Sequence, residues 1–310
     1  MTRHVAVLLG GWSAEREVSL SSGRACADAL EQAGFRVTRI DVQRDLPALM
    51  AALDPKPDVI FNALHGRGGE DGLIQGVLAF LGIPFTHSGI LASALAMNKA
   101  VSRLAFQSAG IPVAEGRVVS REDVLAGHVM DPPYVLKPID EGSSVGVEIV
   151  RPGSNHPTVE AETWRFGERV LVERYIPGRE LTVGVMENGT GPRAMTVTEI
   201  RPTVAFYDYA AKYTDGLAVH DVPARLPEEV SQACRDYAVL AHRTLGCRGI
   251  SRADFRYDDS KPGLDGLVML EVNTQPGMTP LSLVPEQAAH LGMSFVDLCV
   301  WIVENASCDA

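Results

Sequence analysis

The sequence predicts an α/β protein that opens with a parallel sheet covered by helices and continues as an α+β arrangement. Three observations carry this expectation. Short β-rich runs alternate with helical stretches over the first hundred residues, which is the βαβ signature. From about Ala94 onward, β-rich segments follow one another across short glycine-containing loops, as antiparallel strands do. A chain of 310 residues that is 46% hydrophobic and 22% charged is long and apolar enough for two domains or one large one.

In order, VAVLL (residues 5–9) and DVIFNAL (58–64) read as buried strands. Between them SSGRACADALEQAG places Ala27, Leu30 and Ala33 on one helical face and stops at Gly34, ahead of the strand RVTRIDV. The loops GGWSAERE (10–17) and HGRGGEDG (65–72) follow strands, and catalytic loops of parallel sheets lie at the carboxyl ends of strands. A helix is expected from Ala94 through Lys99 and Leu104, then VAEGRVVS, then PYVLKPIDEGSSVGVEIV as strand, glycine-rich loop and strand. RVLVERYI follows, and RELTVGVM and RAMTVTEI suit neighbouring antiparallel strands. An amphipathic helix over 227–245 carries Val230, Ala233, Cys234, Tyr237, Ala241, Thr244 and Leu245 on one stripe. The strands GISRADFRY and LVMLEVN precede two closing helices, 284–291 and 294–304.

Composition narrows the function. With 28 Lys and Arg against 39 Asp and Glu the net charge is −11, and no basic run is present, which argues against a nucleic-acid partner. Five cysteines without a C-x-x-C pair argue against a structural zinc or a disulfide framework and for a reducing cytoplasm. No stretch approaches 18 apolar residues, and residues 5–9 are too short for a signal-peptide core, so no membrane segment is expected. G-x-x-x-x-G-K-[ST], H-E-x-x-H and G-x-S-x-G are absent, and Gly10-Gly11 lacks the later glycines of a dinucleotide fingerprint.

Four constellations remain. Residues i and i+2 of a strand share a face, so Arg252 pairs with Asp254 and Glu271 with Asn273, and three oxygen donors can converge on a hard cation such as Mg²⁺. A polar outer face of a sheet has the same pattern, but Glu271 and Asn273 lie directly against the otherwise apolar run LVMLEV, where a solvated face is less expected. In KPIDEGSSVGV, Lys137 ends a strand before a glycine-rich loop that could bring backbone N–H groups to a phosphate; a solvated turn looks alike. In VERYIPGREL, Glu173, Tyr175, Ile176 and Glu180 suit a purine and ribose, or an ordinary hairpin. In AFYDYAAKYTDG, Tyr207, Asp208, Tyr209, Lys212 and Tyr213 form a polar aromatic loop, either a lid that excludes water or a surface loop.

Taken together, GGWSAEREVSLSSG, HGRGGEDG, LASALAMNK, KPIDEGSSVGV, VERYIPGRELTVGV, FYDYAAKYTDG, SRADF and LEVNTQPGMTPLSLVP, in this order over nearly the whole chain, resemble the D-alanine-D-alanine ligases of the ATP-grasp superfamily. The resemblance implies an ATP-grasp fold in three domains, residues 1–87 (the N-terminal βαβ domain), 88–180 (central) and 181–310 (C-terminal, with the catalytic and metal site). It implies ATP-dependent ligation of two D-alanine molecules through a D-alanyl phosphate, for peptidoglycan synthesis. By resemblance, Glu15 would bind the first ammonium, and Glu15, Ser143 and Tyr213 would form an orienting trio. Arg252 and the Gly277 N–H would stabilise the oxyanion. Ser282 and Leu283 would hold the second carboxylate, and His65 would line the substrate site. Lys99, Lys137 and Lys212 would contact the phosphates, and Glu173, Tyr175, Ile176 and Glu180 the adenosine. Asp254, Glu271 and Asn273 would bind two Mg²⁺ (or Mn²⁺). Tyr213 favours an amine over a hydroxy-acid nucleophile, and a cytoplasmic homodimer is implied. Three departures from the family pattern, Phe85 and His87 where Tyr and Gly are usual and Asn98 where Asp is usual, bear on hinge geometry at the junction of the first two domains.

Overall fold

The structure, a computed structural model, describes residues 2–142, 146–153, 164, 167–203, 216, 218–279 and 281–308. Strands β1 (His4–Gly10), β2 (Arg36–Val42) and β3 (Val59–Asn62) form a parallel sheet in the order β2-β1-β3. Every residue of the central strand β1 is buried, as a strand covered on both faces requires. Its odd-numbered residues Val5, Val7 and Leu9 face α1 (Arg16–Gln32), while Ala6 and Leu8 pack with Leu49 of α2 (Leu46–Ala52) and Leu78 of α3 (Leu73–Phe80). Helix α1 stops as expected at Gly34, which sits at φ +90°; Gly34 N donates to Glu31 O at 2.9 Å and Phe35 N to Leu30 O at 3.0 Å. That double bond is the Schellman stop, and it leaves Ala33, expected on the inner face, as an exposed cap residue.

The expected helix through Lys99 is two helices, α4 (Ile90–Met97) and α5 (Lys99–Ser108). Asn98 breaks it by adopting extended backbone, and its Oδ1 accepts the Val101 N–H at 3.1 Å to cap α5. A four-stranded antiparallel sheet, β4-β7-β5-β6, follows from β4 (Gly116–Ser120), β5 (Tyr134–Pro138), β6 (Glu148–Val150) and β7 (Arg169–Arg174), with α6 (Arg121–Ala126) after β4. Tyr134, Leu136, Val170 and Val172 centre its core.

The largest sheet is antiparallel, ordered β10-β9-β8-β11-β12, from β8 (Arg179–Asn188), β9 (Gly191–Pro202), β10 (Ala218–Asp221), β11 (Ile250–Tyr257) and β12 (Leu267–Asn273). One face is covered by α7 (Glu228–Leu245), which buries Val230, Cys234, Ala238, Ala241 and Leu245 against Val183, Val185 and Phe255. Helices α4 and α5 add Ala92, Ala96 and Phe106 to the same core. After α8 (Leu283–His290), the last helix α9 (Phe295–Glu304) returns to the first sheet and packs Leu298, Cys299, Ile302 and Val303 against Val5, Val7, Cys26 and Leu30. Both ends of the chain therefore share one core, and that core fixes the first two loops over the end of the large sheet.

Candidate active site

The site starts from strand register. In the β11·β12 ladder Arg252 faces Asn273 and Asp254 faces Glu271, with a bulge immediately after Asp254. Residues that the i, i+2 pattern placed on two separate strands thus stand as two cross-strand pairs on one patch. Arg252 donates to both Asp254 oxygens, Nε to Oδ1 at 2.9 Å and Nη2 to Oδ2 at 2.8 Å, and Thr182 Oγ1 donates to Oδ1 at 2.6 Å. Lys99 Nζ lies 3.2 Å from Glu271 Oε2 and donates to Glu141 O at 2.6 Å. Gln275 N donates to Asn273 Oδ1 at 2.9 Å.

This patch forms one wall of an open cleft with an empty volume of about 970 Å³, solvent at its mouth included. Of the expected site residues, Glu15, His65, Lys99, Glu180, Arg252, Asp254, Glu271, Asn273, Gly277, Ser282 and Leu283 line it. The first two loops are tied to each other by Ser13, whose Oγ donates to His65 O at 2.7 Å and accepts the Glu15 N–H at 3.1 Å. Gly66 sits at φ +68°, and a Cβ there would come within 2.6 Å of Glu15 Oε2, so the glycine makes room for the carboxylate. Gly142 also approaches Glu15: a Cβ would stand 3.1 Å from Oε2. That brings the loop after Lys137 to Glu15, while its neighbour Ser143 lies outside the described residues, as do Lys212, Tyr213 and the aromatic segment 207–215.

His65 is buried, with its ring Nε2 3.3 Å from Ser22 Oγ. Burial and the Arg252 charge pull its pKa down to about 4, so the ring is neutral at pH 7. Ser282 stands at the N-cap position of α8, its Oγ turned back to accept the Thr279 N–H at 2.9 Å rather than capping the helix, and the helix start with Leu283 opens on the cleft. Such an end favours an anion. A Cβ on Gly277 would meet Ser282 Oγ at 3.0 Å, which favours a residue without a side chain there.

Lys137, Glu173, Tyr175 and Ile176 stand apart from this cleft wall, along β5, β7 and the β7-β8 connection. Lys137 Nζ is 2.5 Å from Glu173 Oε2. Tyr175 N donates to Pro133 O at 3.2 Å, and Arg256 Nε donates to Ile176 O at 3.1 Å. Arg256 Nη1 also reaches Glu180 Oε2 at 3.4 Å. These residues bridge the central and the large sheet.

Sequence reasoning passed over Glu70. It is buried in the same cleft and accepts the Gly66 N–H at 2.9 Å. Burial, with Glu15 and Glu271 nearby, pushes its pKa up to about 8 against the opposing Gly66 bond and Arg252. The signal was its place in HGRGGEDG, four residues after Gly66.

The departures have physical readings. His87 sits at φ +68°, the left-handed region that a glycine occupies without strain. Its ring is buried edge-on against Phe61, and among the described residues neither nitrogen finds a hydrogen-bond partner. Phe85 is fully buried, bridged to Ile60 and Ser307, with the Arg248 guanidinium 4.6 Å from its ring centre. Arg248 Nε donates to His87 O at 2.9 Å, so residues 85–87 join the first sheet to the turn that precedes β11.

The family described as D-ala D-ala ligase C-terminus matches residues 105–304. The chain is 57% identical to a D-alanine-D-alanine ligase of Parvibaculum lavamentivorans over 309 residues, covering 99% of this chain and 98% of that one. It is also 57% identical to one from Methylobacterium radiotolerans over 310 residues, with 99% of each chain covered. Among solved structures it resembles D-alanine-D-alanine ligase from Bacillus anthracis at TM-score 0.83 and 29% identity, covering 98% of this chain and 97% of that one. The complex of the Bacillus anthracis enzyme with ATP gives TM-score 0.80 at 28% identity and the same coverage. Identity of 57% over nearly the whole chain, with a matching fold, makes the conclusion plain: the chain belongs to the D-alanine-D-alanine ligase family.

Proposed function

We propose that the chain joins two D-alanine molecules at the expense of ATP, which is converted to ADP and phosphate, supplying D-alanyl-D-alanine for peptidoglycan. The observation that carries this is the cross-strand pairing of Arg252 and Asp254 with Asn273 and Glu271, opposite Glu15 and the start of α8. A carboxylate resists attack by an amine until it carries a good leaving group. Transfer of the ATP γ-phosphoryl group to the first D-alanine supplies one, and attack of the second amine expels phosphate.

The residues divide this work. Glu15 holds the first ammonium, and Glu15, Ser143 and Tyr213 form the trio that orients the site. Neutral His65 lines the pocket beside it without adding a competing positive charge. Ser282 and Leu283 take the second carboxylate at the helix start, which places its amine toward the acyl carbon. Arg252 and the Gly277 N–H face the oxygen on which negative charge develops. Lys99, Lys137 and Lys212 contact the phosphates, and Glu173, Tyr175, Ile176 and Glu180 the adenosine.

The donor set fits Mg²⁺ (or Mn²⁺): two carboxylates and an amide oxygen at facing strand ends, hard ligands of the kind these ions take. Asp254 is paired with Arg252 and Glu271 with Lys99. Asp254, Glu271 and Asn273 would hold two such ions, which neutralise phosphate charge when bound.

A homodimer is part of this reading. Leu73 and Phe80 of α3, Leu91 of α4, and Val101 and Leu104 of α5 are exposed on helices packed in series, Phe80 being 92% exposed. A second copy would cover that apolar face. A reducing cytoplasm agrees with five free cysteines, and no helix among the described residues is long and apolar enough to cross a membrane.

The rival is a ligase of the same superfamily that acts on another acid or amine. A panel of D-amino acids, L-amino acids and hydroxy acids, assayed by phosphate release, separates the two. D-Alanine is expected to lead; equal rates with the others would replace this reading with the rival.

A further inference from the structure

Arg103 reaches from α5 to the central sheet, where its Nη1 meets Oε1 of Glu173 while Lys137 Nζ takes the other oxygen, Oε2, at 2.5 Å. Its Nη2 is also 3.5 Å from Gly116 O on β4, the strand beside β7. The side chains of Arg103 and Glu173 are 6% and 4% exposed, whereas Lys137 is 14% exposed. The three groups form a row with an inner cation, a carboxylate in the middle and an outer cation toward solvent.

Charge counting shows what the inner cation does. With Arg103 present the row carries two positive charges and one negative, a net +1. Without it, Glu173 and Lys137 cancel. In a buried setting that cancellation is strong, because a carboxylate out of water draws fully on whatever cation remains. Arg103 is too deeply placed to reach a ligand in the open cleft itself.

We propose that Arg103 is a positioning residue for nucleotide phosphates: it neutralises Glu173 from the inner side and so reserves the charge of Lys137 for a polyphosphate. The inference rests on the assignment of Lys137 to the ATP phosphates. It adds a residue that touches no substrate and is set by its contact with Glu173. A role confined to holding α5 against the sheet would affect binding of the whole nucleotide, whereas a role through Lys137 affects only the phosphate-bearing part.

The test is the ratio of affinities for ADP and adenosine, measured by titration calorimetry on the full chain with Mg²⁺. In Arg103→Met, ADP affinity should fall about tenfold while adenosine affinity stays within about twofold. Arg103→Lys, which keeps the charge, should retain the wild-type ratio. Arg103→Met combined with Glu173→Gln removes both inner charges, and the ratio should return to the wild-type value. The double variant restores the net +1 of the row with Lys137 as its one cation, so its ratio carries the test even if Arg103→Met alone does not fold. Equal loss of ADP and adenosine binding in Arg103→Met would overturn the proposal. So would a double variant whose ratio stays far below wild type. Failure of the wild-type chain to bind any adenine nucleotide would instead strike the ATP reading.

Discussion

Arg252 lays its guanidinium along the carboxylate of Asp254, two residues on in the same strand, with bonds of 2.9 and 2.8 Å. The cation expected to meet the developing oxyanion is thus held by a carboxylate expected to ligate metal. Arg252→Ala should lower kcat by roughly 10²–10³-fold, the range for loss of an oxyanion donor, while ATP affinity changes far less. Steady-state kinetics with direct nucleotide titration checks this, and unchanged turnover would remove the oxyanion role.

Glu70 makes stability fall as pH rises through neutrality. Its folded pKa is raised to about 8 from 4.5, so between these values the folded chain holds a proton that the unfolded chain has lost. Stability therefore falls as pH rises from about 4.5 through 8. Glu70→Gln, which stays neutral, should flatten that decline. Thermal unfolding of the ligand-free chain across this range decides it; parallel curves for the two proteins would contradict the assignment.

His87 works in the opposite sense. Burial first, then His65 and Arg248, pull its pKa down to about 3 from 6.5, so the unfolded chain binds the proton the folded chain refuses. Its share of stability is present above about pH 6.5 and is lost as pH falls toward 3. His65, at about 4, adds the same slope. His87→Asn keeps a residue tolerant of positive φ and removes the titration, so acid unfolding should begin at lower pH. Equal acid midpoints would show that His87 is not the group concerned.

The apolar face of α3, α4 and α5 gives a test of assembly. Phe80→Asp places a charge at its most exposed apolar position, and sedimentation equilibrium should then report a monomer where the wild type is expected to report a dimer. A wild type that sediments as a monomer at working concentration would remove the dimer.

Much of the fold was legible where one physical signal dominates. The apolar run at 5–9 had to be a strand covered on both faces, and Gly34 supplied the φ +90° at which α1 ends. That Arg252 and Asp254 share one strand face, and Glu271 and Asn273 another, was legible from alternation, but their pairing was not. That Arg252 faces Asn273 depends on ladder register, which single-strand alternation does not encode. The break at Asn98 was missed because a single Asn within an apolar-periodic stretch is compatible with a helix, and only its capped, extended backbone separates α4 from α5. Glu70 was missed because its burial arises between loops distant in sequence, one bearing Glu15 and the other Gly66. The return of α9 to the first sheet is a long-range packing event that periodicity alone could not place.

The most direct measurement is a mass balance on purified protein with ATP, Mg²⁺ and D-alanine, with L-alanine and D-lactate in parallel. We expect D-alanyl-D-alanine and phosphate in equal amounts from D-alanine, and little product from the other two. ATP binding without dipeptide, or phosphate release that D-alanine does not stimulate, would contradict the account.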